Sequence, residues 1–206
     1  MQSIILVQHS QSEHHINNMS GGWTDSKLTE LGKEQALKIG LSLQSMVDKN
    51  KESVLYSSDL LRASQTADII GEQLNLKVNL DQGLRELNTG IAIGQTKEWA
   101  KKHRNPMKDN QFTIDYRLFD EGESWREFYN RVSMAMNDIL MNEQGKQVII
   151  VTHGGAVGYI VAWWLEFEPE MLHNAYFQSD VGSITRLSEN NFNQRVLTVF
   201  NDISHL

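Results

Sequence analysis

The sequence predicts an α/β/α sandwich around a mostly parallel sheet, and three observations carry that expectation. Two apolar, β-branched-rich runs, Ile4-Ile5-Leu6-Val7 and Val148-Ile149-Ile150-Val151, lack polar alternation, as strands covered on both faces do. Strand-like runs alternate with segments whose apolar residues recur at helical spacing, the pattern of helices layered on a sheet. The 206 residues are 40% hydrophobic and 22% charged, ordinary globular usage with room for one sheet. No repeat, linker or low-complexity stretch interrupts them, so residues 1–206 read as a single domain.

Taken in order, the first strand stops at His9, and Ser10-Gln11-Ser12-Glu13 breaks the apolar pattern; Ser10 and Glu13 have the spacing of a capping box. Residues 14–23 are polar and glycine-containing and read as a loop around the strand end. Thr29-Glu30 supplies an N-cap and a first-turn acid for a helix to about Asp48, with Ala36, Ile39, Leu43, Met46 and Val47 facing the core. Ser53-Val54-Leu55-Tyr56 is a short second strand. Ser57-Ser58-Asp59 is placed to cap the next helix, whose stripe is Leu60, Ala63, Ala67, Ile70 and Leu74, with Arg62 in its first turn off that stripe.

Residues 76–80 alternate like a third strand, and Gly83-Leu84-Arg85-Glu86-Leu87-Asn88 leads into a loop. Residues 94–122 are the least patterned, with a short helix expected around 97–103. Ser124-Trp125-Arg126-Glu127 is a capping box ahead of Phe128, Val132, Ala135 and Ile139 at helical spacing. The run 147–152 is the second buried strand and ends on His153, after which Gly154-Gly155 turns into an apolar helix over 156–165. Residues 181–187 and 194–200 read as closing strands.

Composition excludes several functions. A formal net charge of −7 disfavours nucleic acid or an anionic membrane as partner, and the absence of cysteine removes disulfide, thiolate and Cys-zinc chemistry. The N-terminus lacks a signal-peptide pattern and no apolar run reaches membrane-spanning length, so a cytoplasmic location is expected. His14-His15 invites a metal reading with His9, but no carboxylate at fitting spacing completes it, and adjacent loop histidines are expected to be solvated. Lys101-Lys102-His103-Arg104 reads as a solvated helix face, and Trp163-Trp164 as core and rim packing.

His9, Arg62, Glu86 and His153 all fall near the expected carboxyl ends of strands, where open α/β sheets bind ligands. Together they suit phosphoryl transfer through histidine. A neutral imidazole attacks phosphorus, Arg62, a second imidazole and helix N–H groups hold the oxygens, and Glu86 protonates the leaving oxygen and then activates water.

These stretches resemble the histidine phosphatase superfamily, the phosphoglycerate-mutase-like fold. The matching segments are 6–12, Gly22-Trp23 through Gly32, 56–67, Leu84-Arg85-Glu86-Leu87, Gly122-Glu123-Ser124 and Val151-Thr152-His153-Gly154-Gly155. The resemblance implies a six-stranded sheet, His9 as nucleophile, Arg62 and His153 as phosphate ligands, Glu86 as proton donor, and no metal or other cofactor. It departs at Gln8-His9-Ser10, where the family has Arg-His-Gly, and at His15, where asparagine is usual. Gln8 and His15 are therefore expected at the substrate phosphate as altered ligands, with reduced turnover as a consequence. The function expected is hydrolysis of a small phosphorylated metabolite. A phosphoglycerate-type mutase and a phosphate-binding regulatory module are the alternatives, and neither substrate nor oligomeric state is legible.

Overall fold

The computed structural model describes residues 2–206. Strands β1 (Ser3–Gln8), β2 (Ser53–Ser57), β3 (Val78–Leu80), β4 (Gln147–Thr152), β5 (Ile184–Glu189) and β6 (Arg195–Asp202) form one 6-stranded sheet in the order β3-β2-β4-β1-β5-β6. The strands β3, β2, β4 and β1 run parallel, β5 runs antiparallel to β1, and β6 antiparallel to β5. Helices are α1 (Glu13–Ile16), α2 (Glu30–Met46), α3 (Leu61–Leu74), α4 (Lys97–Lys102), α5 (Trp125–Asn142) and α6 (Gly154–Trp164).

The period-2 alternation of side chains along β1 and β4 divides the core. Ile5, Val7, Ile149 and Val151 pack with Ile39 and Leu43 of α2 and Ala63, Ala67 and Ile70 of α3. Ile4, Leu6, Val148 and Ile150 pack on the opposite face with Val132, Met136 and Ile139 of α5 and Ile160 of α6. Each fully buried Ile or Leu contributes about 1.5–3 kcal/mol, so a charge at Leu6 or Ile149 would open one layer of this sandwich. Among the described residues, no helix is long and apolar enough to cross a membrane.

The helix starts hold the two surprises of this fold. α2 and α5 begin as their sequences predict, with Thr29 Oγ1 accepting from Gly32 N (3.0 Å) and Ser124 and Glu127 bonding reciprocally (3.2 and 2.7 Å). The expected Ser10/Glu13 capping box does not form. β1 ends at Gln8, residues 9–11 belong to neither strand nor helix, the helix opens only at Glu13, and Ser12 is the N-cap, its N–H donating to His15 Nδ1 at 3.0 Å. The stretch expected as loop thus contains α1, which buries His14 where solvation was expected. Nor do Ser57, Ser58 or Asp59 cap α3. Leu60 is its N-cap, Leu61 N–H donates to Asp25 at 2.8 Å, and Asp59 instead pairs with Arg85 (2.6 Å to each oxygen). A carboxylate within reach of a guanidinium fork gains two charge-assisted bonds there, which outweighs a single cap.

Candidate active site

β1 and β4 lie side by side in parallel register, Gln8 opposite Thr152, so the next residue of each strand is a histidine at the same height. His9 N–H donates to the Thr152 carbonyl at 2.8 Å, and the His9 and His153 ring centroids are 5.1 Å apart. The chain leaves β1 toward the α2 face and β4 toward the α6 face, which opens a crevice between the two ends. α1 brings two more imidazoles, His14 at 6.0 Å and His15 at 5.5 Å from the His9 ring, the latter stacked.

The tautomer of His9 follows from its partners. Its Nδ1 lies 2.8 Å from the Ser10 carbonyl, which can only accept, so Nδ1 carries the proton. Its Nε2 accepts Arg62 Nε–H at 3.0 Å and therefore holds a lone pair. Burial, and then the charge of Arg62, hold the His9 pKa well below the usual imidazole value, so the ring is neutral at neutral pH. Arg62 is itself buried. Its Nη1 donates to the Thr24 carbonyl (2.8 Å) and its Nη2 to the Gly22 carbonyl (2.7 Å), which fixes the fork and leaves one further N–H on each nitrogen.

His153 is the N-cap of α6 and is fully buried. Its Nε2 lies 2.8 Å from Ser58 Oγ, while its Nδ1 is buried with no partner. Ser58 Oγ also accepts Leu60 N–H at 3.3 Å, and with its own proton directed to His153 Nε2 the imidazole proton sits on the orphaned Nδ1. Ser10 Oγ is a second buried atom without a partner beside His9. The unpaired Nδ1 of His153, whose ring lies beside that of His9, is a group that a bound anion would satisfy. Burial, followed by Arg62 and His9, pushes the His153 pKa well below its usual value too.

Glu86 reaches the crevice from the turn after Leu84. One carboxylate oxygen accepts Leu87 N–H (2.8 Å) and the other Gly155 N–H (2.9 Å) at the start of α6, where the helix dipole favours negative charge. A Cβ at Gly155 would overlap Glu86 Oε1, so glycine is what admits the carboxylate. His9, Arg62, His153 and Glu86 thus converge, as their places at strand ends suggested. His15 joins them through α1, with its Nδ1 engaged by Ser12 and its Nε2 left to donate. Burial, then Arg62 and Lys97, lower its pKa to about 4, and burial with His15 lowers that of His14 to about 3.

Gln8 is placed differently. It packs beside Gly154, and its amide lies 2.6 Å from Ser179 Oγ. With the nitrogen turned to that side it also donates to the Ser179 (3.1 Å) and Asp180 (3.2 Å) carbonyls. Its donors are thereby spent on the 179–180 loop rather than on the histidines.

Several supporting residues carry no signal in the sequence. Arg131 of α5 donates to the carbonyls of Gly83, Arg85 and Glu86, each at 3.0 Å, and pairs with Glu123 at 2.7 and 2.8 Å, riveting the turn that presents Glu86. Its partners across 45 to 48 residues cannot be inferred from helical spacing. Trp23 Nε1 donates to the Glu86 carbonyl (2.7 Å), and Thr66 Oγ1 accepts Ser10 N–H (3.1 Å). No group of three or more potential metal ligands is found among the described residues.

Comparison with known proteins agrees with this fold. The model of the histidine phosphatase superfamily (branch 1) matches residues 4–202. A probable phosphoglycerate mutase GpmB of Citrobacter koseri is 31% identical over 166 residues, covering 79% of this chain and 74% of that one. Among solved structures, the phosphoserine phosphatase of Entamoeba histolytica in complex with 3-phosphoglyceric acid superposes with a TM-score of 0.80 at 27% identity, covering 100% of both chains. A mycobacterial glucosyl-3-phosphoglycerate phosphatase shares the fold, with a TM-score of 0.80 at 23% identity over 98% of this chain and 99% of that one.

Proposed function

Because this chain belongs to the histidine phosphatase superfamily, we propose that it hydrolyses a phosphate monoester through a phosphohistidine on His9. The observation that supports this most is the state of His9, with its proton held on Nδ1 by the Ser10 carbonyl and a bare Nε2 in a buried crevice beside Arg62. A neutral imidazole with a fixed lone pair is a ready nucleophile.

On substrate binding, Arg62 Nε–H transfers from His9 Nε2 to a phosphoryl oxygen. His153 Nδ1–H, His15 Nε2–H and the free N–H groups of Arg62 take the remaining oxygens. His9 Nε2 then attacks phosphorus, the ester P–O bond breaks, and the leaving alkoxide takes a proton from Glu86, whose carboxylate takes that proton up from solvent as the phosphate dianion binds beside it. In the second half, the Glu86 carboxylate takes a proton from water, the resulting hydroxide attacks phosphorus, and the P–N bond breaks. Inorganic phosphate leaves, and His9 is again neutral and Glu86 again protonated. The fixed donors stabilise charge as it spreads over the phosphoryl oxygens, and losing one such donor costs about 10²–10³ in rate. Gln8, spent on Ser179 and Asp180, supplies none of them, so a modest turnover is the expected result.

Incubation with labelled ester and acid or base quenching tests this. Acid-labile, base-stable label on wild type, absent from His9→Ala, is expected together with release of inorganic phosphate. Isomerisation of phosphoglycerate without phosphate release would instead establish the mutase, and phosphate binding with turnover of neither kind would establish a binding module.

A further inference from the structure

A cleft of about 450 Å³ is lined by Phe112, Trp125, Tyr159, Leu172, His173 and Tyr176, with no lysine or arginine among its described lining residues, and two of its walls, Tyr159 and Tyr176, feel the charge of Glu86. Its connection to the reacting groups is short. Gly155 N–H holds Glu86; three residues on, Gly158 faces the Tyr176 ring, which would come within 3.7 Å of a Cβ there; Tyr159 follows directly. Tyr159 packs edge-on against Phe128 (5.0 Å) and Trp125 (6.0 Å), and Phe112 packs edge-on against Trp125 (5.9 Å), so the aromatic wall is continuous. The Tyr176 hydroxyl is pushed up to about 12 by burial and then by the Glu86 charge, which places that carboxylate within its electrostatic reach.

The direction of phosphoryl transfer decides what this wall is for. Attack by His9 Nε2 is in line, so the leaving oxygen departs opposite His9 and beside its proton donor. If Glu86 is that donor, the leaving alcohol emerges toward the aromatic cleft. A second cleft of about 540 Å³, with Lys97, Lys101 and Arg104 on its wall, lies by contrast on the α1 side, where Lys97 is felt by His14 and His15. A carboxylate or second phosphate pushed into the aromatic cleft would lose hydration with no lysine or arginine to replace it, whereas a ring would bury apolar area against four aromatic side chains. Trp125 Nε1 and His173 Nε2 are buried there without hydrogen-bond partners, so the protein's own groups do not complete the polar bonding of that wall.

Resting on the phosphatase reading above, we propose that the substrates are monophosphate esters of a ring-bearing, largely apolar alcohol, seated in the cleft of Phe112, Trp125, Tyr159 and Tyr176, in preference to small polyanionic esters. A cleft of this volume is the size of an ordinary small-ligand pocket.

Two measurements separate this inference from the reading beneath it. The first compares primary-alcohol esters of similar leaving-group basicity: 2-phenylethyl phosphate against glycerol 3-phosphate and phosphoserine. The ring ester is expected to have the higher kcat/KM by at least about tenfold, the low end of what burying one ring contributes. Tyr176→Ser, at a position exposed enough to tolerate it, and Phe112→Ser are each expected to shrink that ratio several-fold, mainly through KM of the ring ester. The second measurement is calorimetric binding of 2-phenylethylphosphonate against methylphosphonate, which reads the cleft even in a protein that turns nothing over; tighter binding of the ring compound by about tenfold is expected. Absence of any hydrolysis with that preference intact would retire the phosphatase reading and leave the cleft's ligand class standing. Equal affinities, or a preference for phosphoserine, would overturn the inference whether or not hydrolysis occurs.

Discussion

At the scale of single residues, the site depends on which nitrogen of each imidazole holds the proton, and that is set by neighbours rather than by pH. A neutral histidine donates one hydrogen bond, from the nitrogen whose partner does not itself donate. His15 accepts Ser12 N–H at Nδ1, which leaves Nε2–H as the donor, and its pKa of about 4 keeps it neutral through the mildly acidic range. A preference for mild acid through a charged His15 is therefore not expected of the free protein. His9 is also held well below its usual pKa, first by burial, which favours the unprotonated Nε2 that the proposed attack needs. The pH profile of kcat/KM, corrected for the second ionisation of the phosphate ester near pH ~6, should stay level down to about pH 5. An acid limb centred near 6.5, the unperturbed imidazole value, would show that these rings are not held neutral. His9, Arg62, Glu86 and His153 were legible as residue types at strand ends. The use of Gln8 was not, because its amide is claimed by Ser179, 171 residues away, and no local pattern records such a contact.

At the scale of elements, the join between the Glu86 turn and α6 is the part that tolerates least. Glycine to alanine inside a helix ordinarily stabilises by about 0.5–1 kcal/mol through backbone entropy. At Gly155 the added Cβ would overlap Glu86 Oε1 and approach Phe128 to 3.2 Å, and overpacking of that kind costs about 1–3 kcal/mol. The clash outweighs the propensity, so Gly155→Ala should lose about 1 kcal/mol in urea unfolding. By lifting Glu86 off the helix N-terminus, it should also lower kcat by about 10²-fold. A variant at least as stable as wild type with full turnover would mean that this contact does not position the acid. Helices and strands with long periodic stripes, such as α2, α5 and β4, were readable in advance because burial on one face writes itself into spacing. α1 and the start of α3 were not. Leu61 N–H is met by Asp25, 36 residues away, and Ser12 N–H by the ring of His15, a local N3 partner of a residue type that the usual capping spacing does not mark.

At the scale of the whole molecule, folding gathers four imidazoles and one guanidinium into a crevice of a protein whose formal net charge is −7, and burial keeps all four rings uncharged. That arrangement has a consequence for stability whose sign is fixed by linkage. In the unfolded chain each ring titrates near 6.5, whereas in the folded chain His14 and His15 titrate at about 3 and about 4 and His9 and His153 well below 6.5. Between those limits the unfolded state binds more protons, so stability is fully present above about pH 6.5 and is lost as pH falls toward the folded values. His9 and His153, the most deeply buried of the four, carry most of this dependence; His14 and His15, nearer solvent, add less. Stability is therefore lost progressively as pH falls below the unfolded value of about 6.5, and a folded domain has only about 5–15 kcal/mol to lose. This loss begins above the range in which most carboxylates protonate, which separates it from ordinary acid unfolding. Urea unfolding of the phosphate-free protein at pH 7.5, 6 and 5 should show a steep fall, and a His9→Gln/His153→Gln double variant, with two fewer groups to titrate, should show a shallower one. A wild-type unfolding free energy that is flat across this interval would mean that the imidazoles titrate in the folded protein as they do in the unfolded chain, and the rings held neutral by burial, on which the proposed mechanism depends in mild acid, would go with it.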